Sequence, residues 1–302
     1  MRIKTGSRLH FGLIDLSSVS ERVDGGVGLG ITSPGVTIEA EKSSYLNVRG
    51  PMKEKVKNAA EAVISHYDVQ PVSITVEEAI PQHRGLGSGT QTALAAGFAV
   101  AKLNDLDLST SKVAEIVGRG GTSGIGTAVF DHGGFILDGG HDLNDKGGFL
   151  PSAASSVSPP PVISRTEFPD WNIKILIPDS TGAHGSNEIS VFDTECPIPV
   201  SEVRELSHTI LMQLLPSVAE SNFDLFRRSI KKIQQVGFKK RELQRQPDSL
   251  SIIEEVQKRG YAAGMSSLGP AVFVISPDQI SVPYDDIKTI NTEAMNQGAN
   301  FS

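Results

Sequence analysis

The sequence predicts an α+β fold in two halves, because strand-like and helix-like segments follow one another in mixed order. The chain has 302 residues, which suits one large domain or two closely joined ones. Segments rich in β-branched residues dominate its beginning, whereas helical spacing is commoner towards its end. The Ser-Ser-Val-Ser-Pro-Pro-Pro run at 155–161 is a stiff, polar connector. We therefore expect one domain over 1–158 and a second over 159–302.

The N-terminal half is predicted to begin with two strands. β-branched residues at 3–16 and 35–48 indicate the strands, and the Gly-Gly-Val-Gly-Leu-Gly run at 25–30 indicates a tight loop between them. The elements predicted to follow are a helix over 53–66, a strand over 72–76, a helix over 90–103, a second helix capped by Ser111 and running through 117, and a strand over 133–138.

The C-terminal half is predicted to be richer in helix. Apolar residues recur at helical spacing in several segments, and two short apolar runs have the length of strands. The predicted elements are strands over 173–177 and 271–275 and helices near 201–215, 222–236, 251–259 and 286–297.

Composition excludes several classes of function. The chain has 28 Lys and Arg against 35 Asp and Glu, a net charge of −7, which argues against a nucleic-acid-binding surface. The N-terminus lacks the apolar run of a signal peptide, and the longest apolar stretch, 92–103, is too short to cross a bilayer. Its single cysteine, Cys196, cannot form an intrachain disulfide. We expect a cytoplasmic protein that binds neither nucleic acid nor membrane.

The segment 81–91, Pro-Gln-His-Arg-Gly-Leu-Gly-Ser-Gly-Thr-Gln, is the clearest candidate for a functional loop. Alternating glycines let backbone N–H groups converge on phosphate oxygens, and a following helix adds positive potential at its N-terminus. The loop is neither a Walker A motif nor a Gly-x-Gly-x-x-Gly motif. A glycine turn that only starts a helix is the simpler alternative. The predicted phosphate-binding residues are Gly85, Leu86, Gly87, Ser88, Gly89, Thr90 and Gln91.

Three motifs resemble the GHMP small-molecule kinases. The segment 81–90 resembles their phosphate loop, 6–12 resembles their first motif, and 264–270 resembles their glycine-rich third motif. The resemblance implies two α+β halves with a nucleotide or phosphate site in the cleft between them. It also implies that Ser266, Ser267 and Gly269 lie at that site.

One position departs from the kinases of this superfamily. Kinases such as mevalonate kinase carry Pro-Ser-Gly-Ile-Asp, whose acid acts as a base towards the substrate hydroxyl, whereas residues 122–126 here read Thr-Ser-Gly-Ile-Gly. Gly126 cannot accept a proton. The departure indicates that the scaffold carries a different reaction.

A more specific resemblance is to the β-ribofuranosylaminobenzene 5′-phosphate synthase family. It rests on the motifs at 7–16, 87–91, 118–126 and 133–141. The resemblance implies transfer of the phosphoribosyl group of phosphoribosyl pyrophosphate to 4-hydroxybenzoate or 4-aminobenzoate, with release of CO₂ and pyrophosphate, in methanopterin biosynthesis. It implies a homodimer that needs Mg²⁺ and no organic cofactor, and it adds Ser123 and Gly124 to the predicted site.

Charged side chains within these motifs are candidates for catalysis. Arg8, His10 and Arg119 could hold the carboxylate or the phosphates, since an arginine can bind either with two parallel hydrogen bonds. Ser88 and Asp138 are the predicted Mg²⁺ ligands, and Asp15 is a candidate for the Mg²⁺–pyrophosphate or the ribose hydroxyls.

Each of these candidates has a simpler reading as well. Arg8 could form a surface ion pair, His10 could be a hydrogen-bonded, half-buried ring, and the two aspartates could stabilise turns. Glu188 could act as an acid or base, or could only start a helix.

Two other functions remain open at the level of sequence. An ATP-dependent kinase would need another acid, such as Asp15 or Asp138, in place of the missing base. A non-catalytic phosphate or nucleotide sensor would also use the glycine loop. ATP consumption coupled to a substrate would identify the kinase, and tight binding without turnover would identify the sensor.

Overall fold

The computed structural model confirms the predicted α+β class. It describes residues 1–151, 155, 157–180, 186–284 and 286–302, and of residues 186–188 it describes the backbone alone. Among these residues, no helix has both the length and the apolar character needed to cross a bilayer. The predicted boundary between residues 158 and 159 stays a prediction.

The N-terminal half combines long strands with a buried helix. The elements are β1 (Arg2–Asp15), β2 (Arg22–Lys42), β3 (Asn47–Arg49), α1 (Lys53–Tyr67), β4 (Val72–Glu78), α2 (Ser88–Leu103), α3 (Thr110–Ile116), α4 (Ile125–His132), β5 (Phe135–Asp138), β6 (His141–Asp142) and α5 (Leu143–Lys146). The Ala-rich helix α2 is buried on almost every side, which explains its lack of a polar face.

The C-terminal half is mainly helical. The elements are β7 (Val162–Thr166), β8 (Asn172–Ile177), α6 (Ser186–Glu195), α7 (Val200–Thr209), α8 (Leu215–Ala219), α9 (Phe223–Gln234), α10 (Gly237–Gln244), α11 (Pro247–Lys258), β9 (Ala262–Met265), β10 (Val272–Ser276), β11 (Lys288–Thr292) and β12 (Asn300–Phe301). A π-helical turn over Ile210–Leu214 joins α7 to α8.

Two sheets organise these elements. In the first, the order is β12-β1-β2-β4-β3, and β2 also pairs with β5, which in turn pairs with β7. The second is antiparallel, with the order β11-β8-β10-β9. Phe11 of β1 packs between them, with its ring centre 6.0 Å from that of Phe135 and 4.8 Å from that of Phe273 in β10. One apolar core therefore joins the two sheets.

Three local predictions were wrong. The glycine run at 25–30 lies inside β2 instead of forming a loop, because its glycines make room for close packing. The cap of α3 is Ser109, whose hydroxyl accepts a hydrogen bond from the Lys112 N–H at 3.2 Å, and Ser111 lies within the helix. The predicted helix over 286–297 contains β11, whose β-branched residues pair with β8.

Candidate active site

The predicted phosphate loop lies where α2 begins. Gly85 and Gly87 have φ angles of +75° and +79°, in the left-handed region that favours glycine. No side chain caps the first turn of α2, and the Thr90 and Gln91 N–H groups donate to the Gly87 carbonyl. The N–H groups of Ser88 and Gly89 are therefore the ones placed to meet an anion. The glycine turn of the simpler reading is present, and phosphate binding by this loop stays a prediction.

β1 and the turn at 266–269 brace this loop from one side. The Arg8 backbone N–H donates to the Leu86 carbonyl at 3.2 Å, and its Nη1 donates to the Gly85 carbonyl at 2.7 Å. The Ser266 hydroxyl also donates to the Gly85 carbonyl, at 2.6 Å. Ser266 therefore supports the loop, and Arg8 both supports it and brings a positive charge to it.

Two further residues of the third motif act through their backbones. Ser267 donates its N–H to the His10 carbonyl at 2.9 Å, and its own carbonyl accepts a hydrogen bond from Lys239 Nζ at 2.8 Å. Gly269 has a φ of +72°, and a Cβ there would lie 2.4 Å from the sulfur of Met265. Sequence reasoning missed Lys239, because its position in α10 depends on how the two halves pack.

His10, Ser123 and Asp138 form a buried polar chain beside the loop. His10 Nε2 lies 3.0 Å from the Ser123 hydroxyl, which lies 3.4 Å from Asp138 Oδ2. A Cβ at Gly26 would lie within 3.1 Å of a polar atom of each of these three residues. The glycine in β2 thus leaves the space in which they meet.

Burial controls the charge of this polar chain. It lowers the pKa of His10 well below its usual value, and the neighbouring Arg8 and Lys239 lower it further. Burial also raises the pKa of Asp138 to about 7, although the Gly140 and Gly124 N–H groups oppose the rise. A lowered pKa keeps His10 neutral at pH 7, so its predicted contact with a carboxylate or phosphate, which stays a prediction, would be a hydrogen bond from a neutral ring.

Backbone N–H groups contact both carboxylate oxygens of Asp138, and its predicted role as a Mg²⁺ ligand stays a prediction. Its Oδ1 accepts a hydrogen bond from the Gly140 N–H and its Oδ2 accepts one from the Gly124 N–H, both at 3.0 Å. No group of three or more His, Cys, Asp or Glu side chains in the described part of the chain could hold a metal ion.

Arg119 and Lys55 face the first turn of α2. Arg119 Nη1 lies 3.5 Å, and Lys55 Nζ 3.2 Å, from the point where a Cβ on Gly89 would sit. The prediction for Arg119 therefore has a geometric basis. Sequence reasoning missed Lys55, because it lies on α1, 34 residues before the Gly89 that it approaches.

Gln91 and Thr90 have structural surroundings. The fully buried Gln91 amide accepts a hydrogen bond from the Thr5 hydroxyl at 2.7 Å and donates one to the Gly126 carbonyl at 2.8 Å. Thr90 packs against Gly126, where a Cβ would lie 3.0 Å from its methyl carbon. Gln91 therefore joins α2 to β1 and α4, and its polar atoms already have partners.

Two predicted residues lie apart from these contacts. The Asp15 carboxylate accepts hydrogen bonds from the Ser17 N–H and hydroxyl and from the Ser20 hydroxyl, so it stabilises the turn after β1. Glu188 belongs to α6, and its side chain lies outside the described residues. The catalytic roles of both stay predictions.

A second buried charge cluster holds the segment that carries Arg119. The Asp24 carboxylate lies 2.8 Å from His141 Nδ1 and forms an ion pair with Lys146, and the Asp24 and Lys146 side chains are completely buried. His141 Nε2 lies 3.2 Å from the Gly120 carbonyl. The cluster therefore connects β2 and β6 to the residue that follows Arg119.

Comparison with known proteins identifies close relatives over the whole chain. Residues 54–139 match the family described as GHMP kinases N terminal domain. The β-ribofuranosylphenol 5′-phosphate synthase of Archaeoglobus fulgidus is 42% identical, and the match covers 99% of this chain and 98% of that protein. The protein of the same name from Methanocaldococcus jannaschii is 38% identical, with 93% and 91% covered.

Solved structures share the fold at low sequence identity. The mevalonate kinase of Methanococcus jannaschii superposes with a TM-score of 0.70 at 13% identity, covering 98% of both chains. The phosphomevalonate kinase of Streptococcus pneumoniae gives 0.69 at 11% identity, covering 98% of this chain and 99% of that one. These likenesses confirm the GHMP-kinase fold, and the identity to the archaeal proteins shows that the chain belongs to the β-ribofuranosylphenol 5′-phosphate synthase family.

Proposed function

We propose that this enzyme transfers the phosphoribosyl group of phosphoribosyl pyrophosphate to the ring of a para-substituted benzoate, with release of CO₂ and pyrophosphate. The name of its relatives describes a ribosylated phenol phosphate. That name favours 4-hydroxybenzoate over 4-aminobenzoate as the acceptor. The reaction would belong to tetrahydromethanopterin biosynthesis, as the family resemblance implies.

The packing of Gly126 against Thr90 is the observation that carries the proposal. A Cβ at Gly126 would lie 3.0 Å from the Thr90 methyl carbon and 3.3 Å from the Thr90 Cβ. An aspartate at this position, where the kinases have their base, would require Thr90 to give way by a few tenths of an ångström. The chain thus keeps the phosphate loop of the superfamily but has, in place of the acid of its kinases, a glycine packed closely against Thr90.

Phosphoribosyl transfer needs stabilisation of charge more than it needs a base. As pyrophosphate leaves the anomeric carbon, positive charge develops on the sugar and negative charge on the leaving group. The ring carbon that bears the carboxylate attacks the sugar, and CO₂ then departs, leaving its bonding electrons to the ring. The first turn of α2 supplies N–H donors, and Arg8 and Arg119 supply positive charge beside it.

In the proposed reaction, His10 has a different role from Arg8 and Arg119. Because its imidazole is neutral at pH 7, it would orient substrate by a hydrogen bond and would not neutralise a phosphate. Ser123 and Asp138 would fix the orientation of the ring through Nε2. A His10→Gln variant should therefore lose turnover while keeping most of its affinity for pyrophosphate.

Magnesium remains part of the proposal as an ion that arrives with the substrate. The diphosphate of phosphoribosyl pyrophosphate offers oxygen ligands, and Ser88 at the start of α2 could add a hydroxyl. We expect the enzyme to lose activity in EDTA and to regain it with excess Mg²⁺.

A homodimer in the cytoplasm completes the proposal, and it rests on the family resemblance. Light scattering coupled to gel filtration should give twice the chain mass of 32.2 kDa. A mass equal to one chain would contradict the dimer without affecting the proposed reaction.

Release of pyrophosphate tests the proposed reaction against the kinase. The enzyme should release pyrophosphate from phosphoribosyl pyrophosphate when 4-hydroxybenzoate is present, and it should not form ADP from ATP with homoserine or mevalonate. ADP formation coupled to either alcohol would contradict the proposal and favour a kinase. Tight binding of phosphoribosyl pyrophosphate without pyrophosphate release would favour a sensor.

A further inference from the structure

A cavity of about 550 Å³ opens beside the start of α2, between α1 and α3. Its lining is apolar on one side, with Ala59, Ala93 and Val117, and positively charged on the other, with Lys55 and Arg119. The cavity is large enough for a small phosphorylated ligand.

The side chains of Lys55 and Arg119 both approach the position that a Cβ on Gly89 would occupy. The distances from the Gly89 Cβ position are 3.2 Å to Lys55 Nζ and 3.5 Å to Arg119 Nη1. Any larger residue at position 89 would occupy the space between the two cations. The glycine therefore keeps both cations next to the backbone of the first turn of α2.

The positive charge of Arg119 disfavours the charged form of Lys55. Burial and the charge of Arg119 both lower the pKa of Lys55. In the described part of the chain, none of the ion pairs includes Lys55, whereas Lys57 on the same helix pairs with Glu61 at 3.6 Å. The carboxylate of Glu54 also lines the cavity, but its side chain is exposed to solvent. A bound anion would relieve the repulsion between the two cations.

We propose that Lys55, together with Arg119, binds the diphosphate end of phosphoribosyl pyrophosphate and stabilises it as it leaves. The inference rests on the proposed function, because that function supplies the substrate. A diphosphate carries more negative charge than the 5′-phosphate at the other end of the molecule, and its charge grows as the C–O bond breaks. The pair of cations thus matches the leaving group better than the 5′-phosphate. Lys55 would then be a catalytic residue.

Binding of the diphosphate end and of the 5′-phosphate end of phosphoribosyl pyrophosphate can be measured separately. Titration calorimetry in the presence of Mg²⁺ would use inorganic pyrophosphate as a probe for the diphosphate end and ribose 5-phosphate for the other end. Lys55→Gln should weaken pyrophosphate binding by about tenfold, the size expected for losing one charged hydrogen bond. The same variant should leave ribose 5-phosphate binding unchanged, and Lys55→Arg should retain most of the affinity for pyrophosphate.

Lys57→Gln is a matched control, because it removes a lysine from the same helix at a position that is paired with Glu61. It should bind both probes like the unaltered protein. Equal pyrophosphate binding by Lys55→Gln and Lys57→Gln would overturn the proposal. A loss of ribose 5-phosphate binding alone in Lys55→Gln would also overturn it, because it would assign Lys55 to the other end.

The binding assay separates this inference from the proposed function. If the unaltered enzyme released no CO₂ from 4-hydroxybenzoate, the proposed reaction would be wrong. A tenfold loss of pyrophosphate affinity in Lys55→Gln would still support the diphosphate site. Conversely, an active enzyme whose Lys55→Gln variant has unchanged kcat and pyrophosphate affinity would keep its function and lose the proposed site.

Discussion

The glycines of β2 and the glycines before α2 have different structural roles, because the first group leaves space for neighbouring atoms and the second allows an unusual backbone conformation. Gly85 and Gly87 adopt positive φ angles, so they permit a chain path that other residues resist. Gly26 and Gly28 lie in an extended strand, and their contribution is space. At Gly28, a Cβ would lie 2.3 Å from the Leu9 carbonyl oxygen.

The comparison shows that a glycine run in a sequence has two physical meanings. Before α2, glycine shapes the loop that leads into the helix N-terminus, where we propose that an anion binds. In β2, glycine allows α4 and the polar chain of His10, Ser123 and Asp138 to approach the sheet closely. Both segments build the same site, one by conformation and the other by close approach.

Substitution of Gly87 should have the largest effect on activity. Gly87→Val places a β-branched residue at a φ of +79°, where its Cβ would lie 2.8 Å from Arg8 Cγ. The loop must change shape, so its N–H groups no longer converge, and CO₂ release should fall about 1,000-fold. The circular dichroism spectrum should stay the same. Full turnover by Gly87→Val would show that the loop does not bind the reacting phosphates.

Gly28→Ala should mainly affect stability. The added methyl group would lie 2.3 Å from the Leu9 carbonyl oxygen and 2.5 Å from a methyl carbon of Ile125, and a backbone atom cannot move aside easily. We expect a loss of about 3 kcal/mol in the free energy of unfolding, measured in urea. Gly118→Ala is a useful control, because no atom lies within 4 Å of that Cβ position, although its φ of +66° adds some strain. An equal loss in both variants would argue against crowding in β2.

Gly26→Ala should affect activity more than it affects stability. Its methyl group would meet Asp138 Oδ2 at 2.8 Å, the Ser123 hydroxyl at 2.9 Å and His10 Nε2 at 3.1 Å. The displaced polar chain should lower kcat by about tenfold, since a small misplacement of a reacting or orienting group is costly. If kcat were unchanged while stability fell, the glycine would serve packing alone and the polar chain would have no part in turnover.

The titration of Asp138 should make stability fall as pH rises. Its folded pKa of about 7 lies above the usual value of 3.8, so the native state keeps a proton that the unfolded chain has lost. Asp138 therefore stabilises the fold most below about pH 4, and that contribution is lost progressively up to about pH 7. Urea unfolding should show a smaller decline over this range for Asp138→Asn than for the unaltered protein. Parallel declines would show that Asp138 does not titrate there.

Local chemistry explains what could be predicted from the sequence. The α+β class and the loop that begins α2 follow from short-range patterns of glycine, alanine and β-branched residues. The loss of the kinase acid at Gly126 is likewise visible in a single motif. By contrast, the strand path of residues 25–30 depends on atoms from α4 and β5, which lie about one hundred residues later.

The residues that sequence reasoning missed reach their partners only through tertiary packing. Lys55 reaches the loop because α1 packs against α2, and Lys239 reaches Ser267 because α10 packs near β1. The cluster of Asp24, His141 and Lys146 joins residues separated by more than one hundred positions. Buried ions of this kind are a signal only when the structure shows that they are buried.

Release of CO₂ from carboxyl-labelled 4-hydroxybenzoate tests the central claim most directly. The enzyme would be incubated with Mg²⁺ and either phosphoribosyl pyrophosphate or ATP, with Gly87→Val as the matched inactive variant. We predict labelled CO₂ only with phosphoribosyl pyrophosphate and only from the unaltered enzyme. No release with phosphoribosyl pyrophosphate, together with ATP turnover on an added alcohol, would contradict the synthase and assign the protein to the kinases.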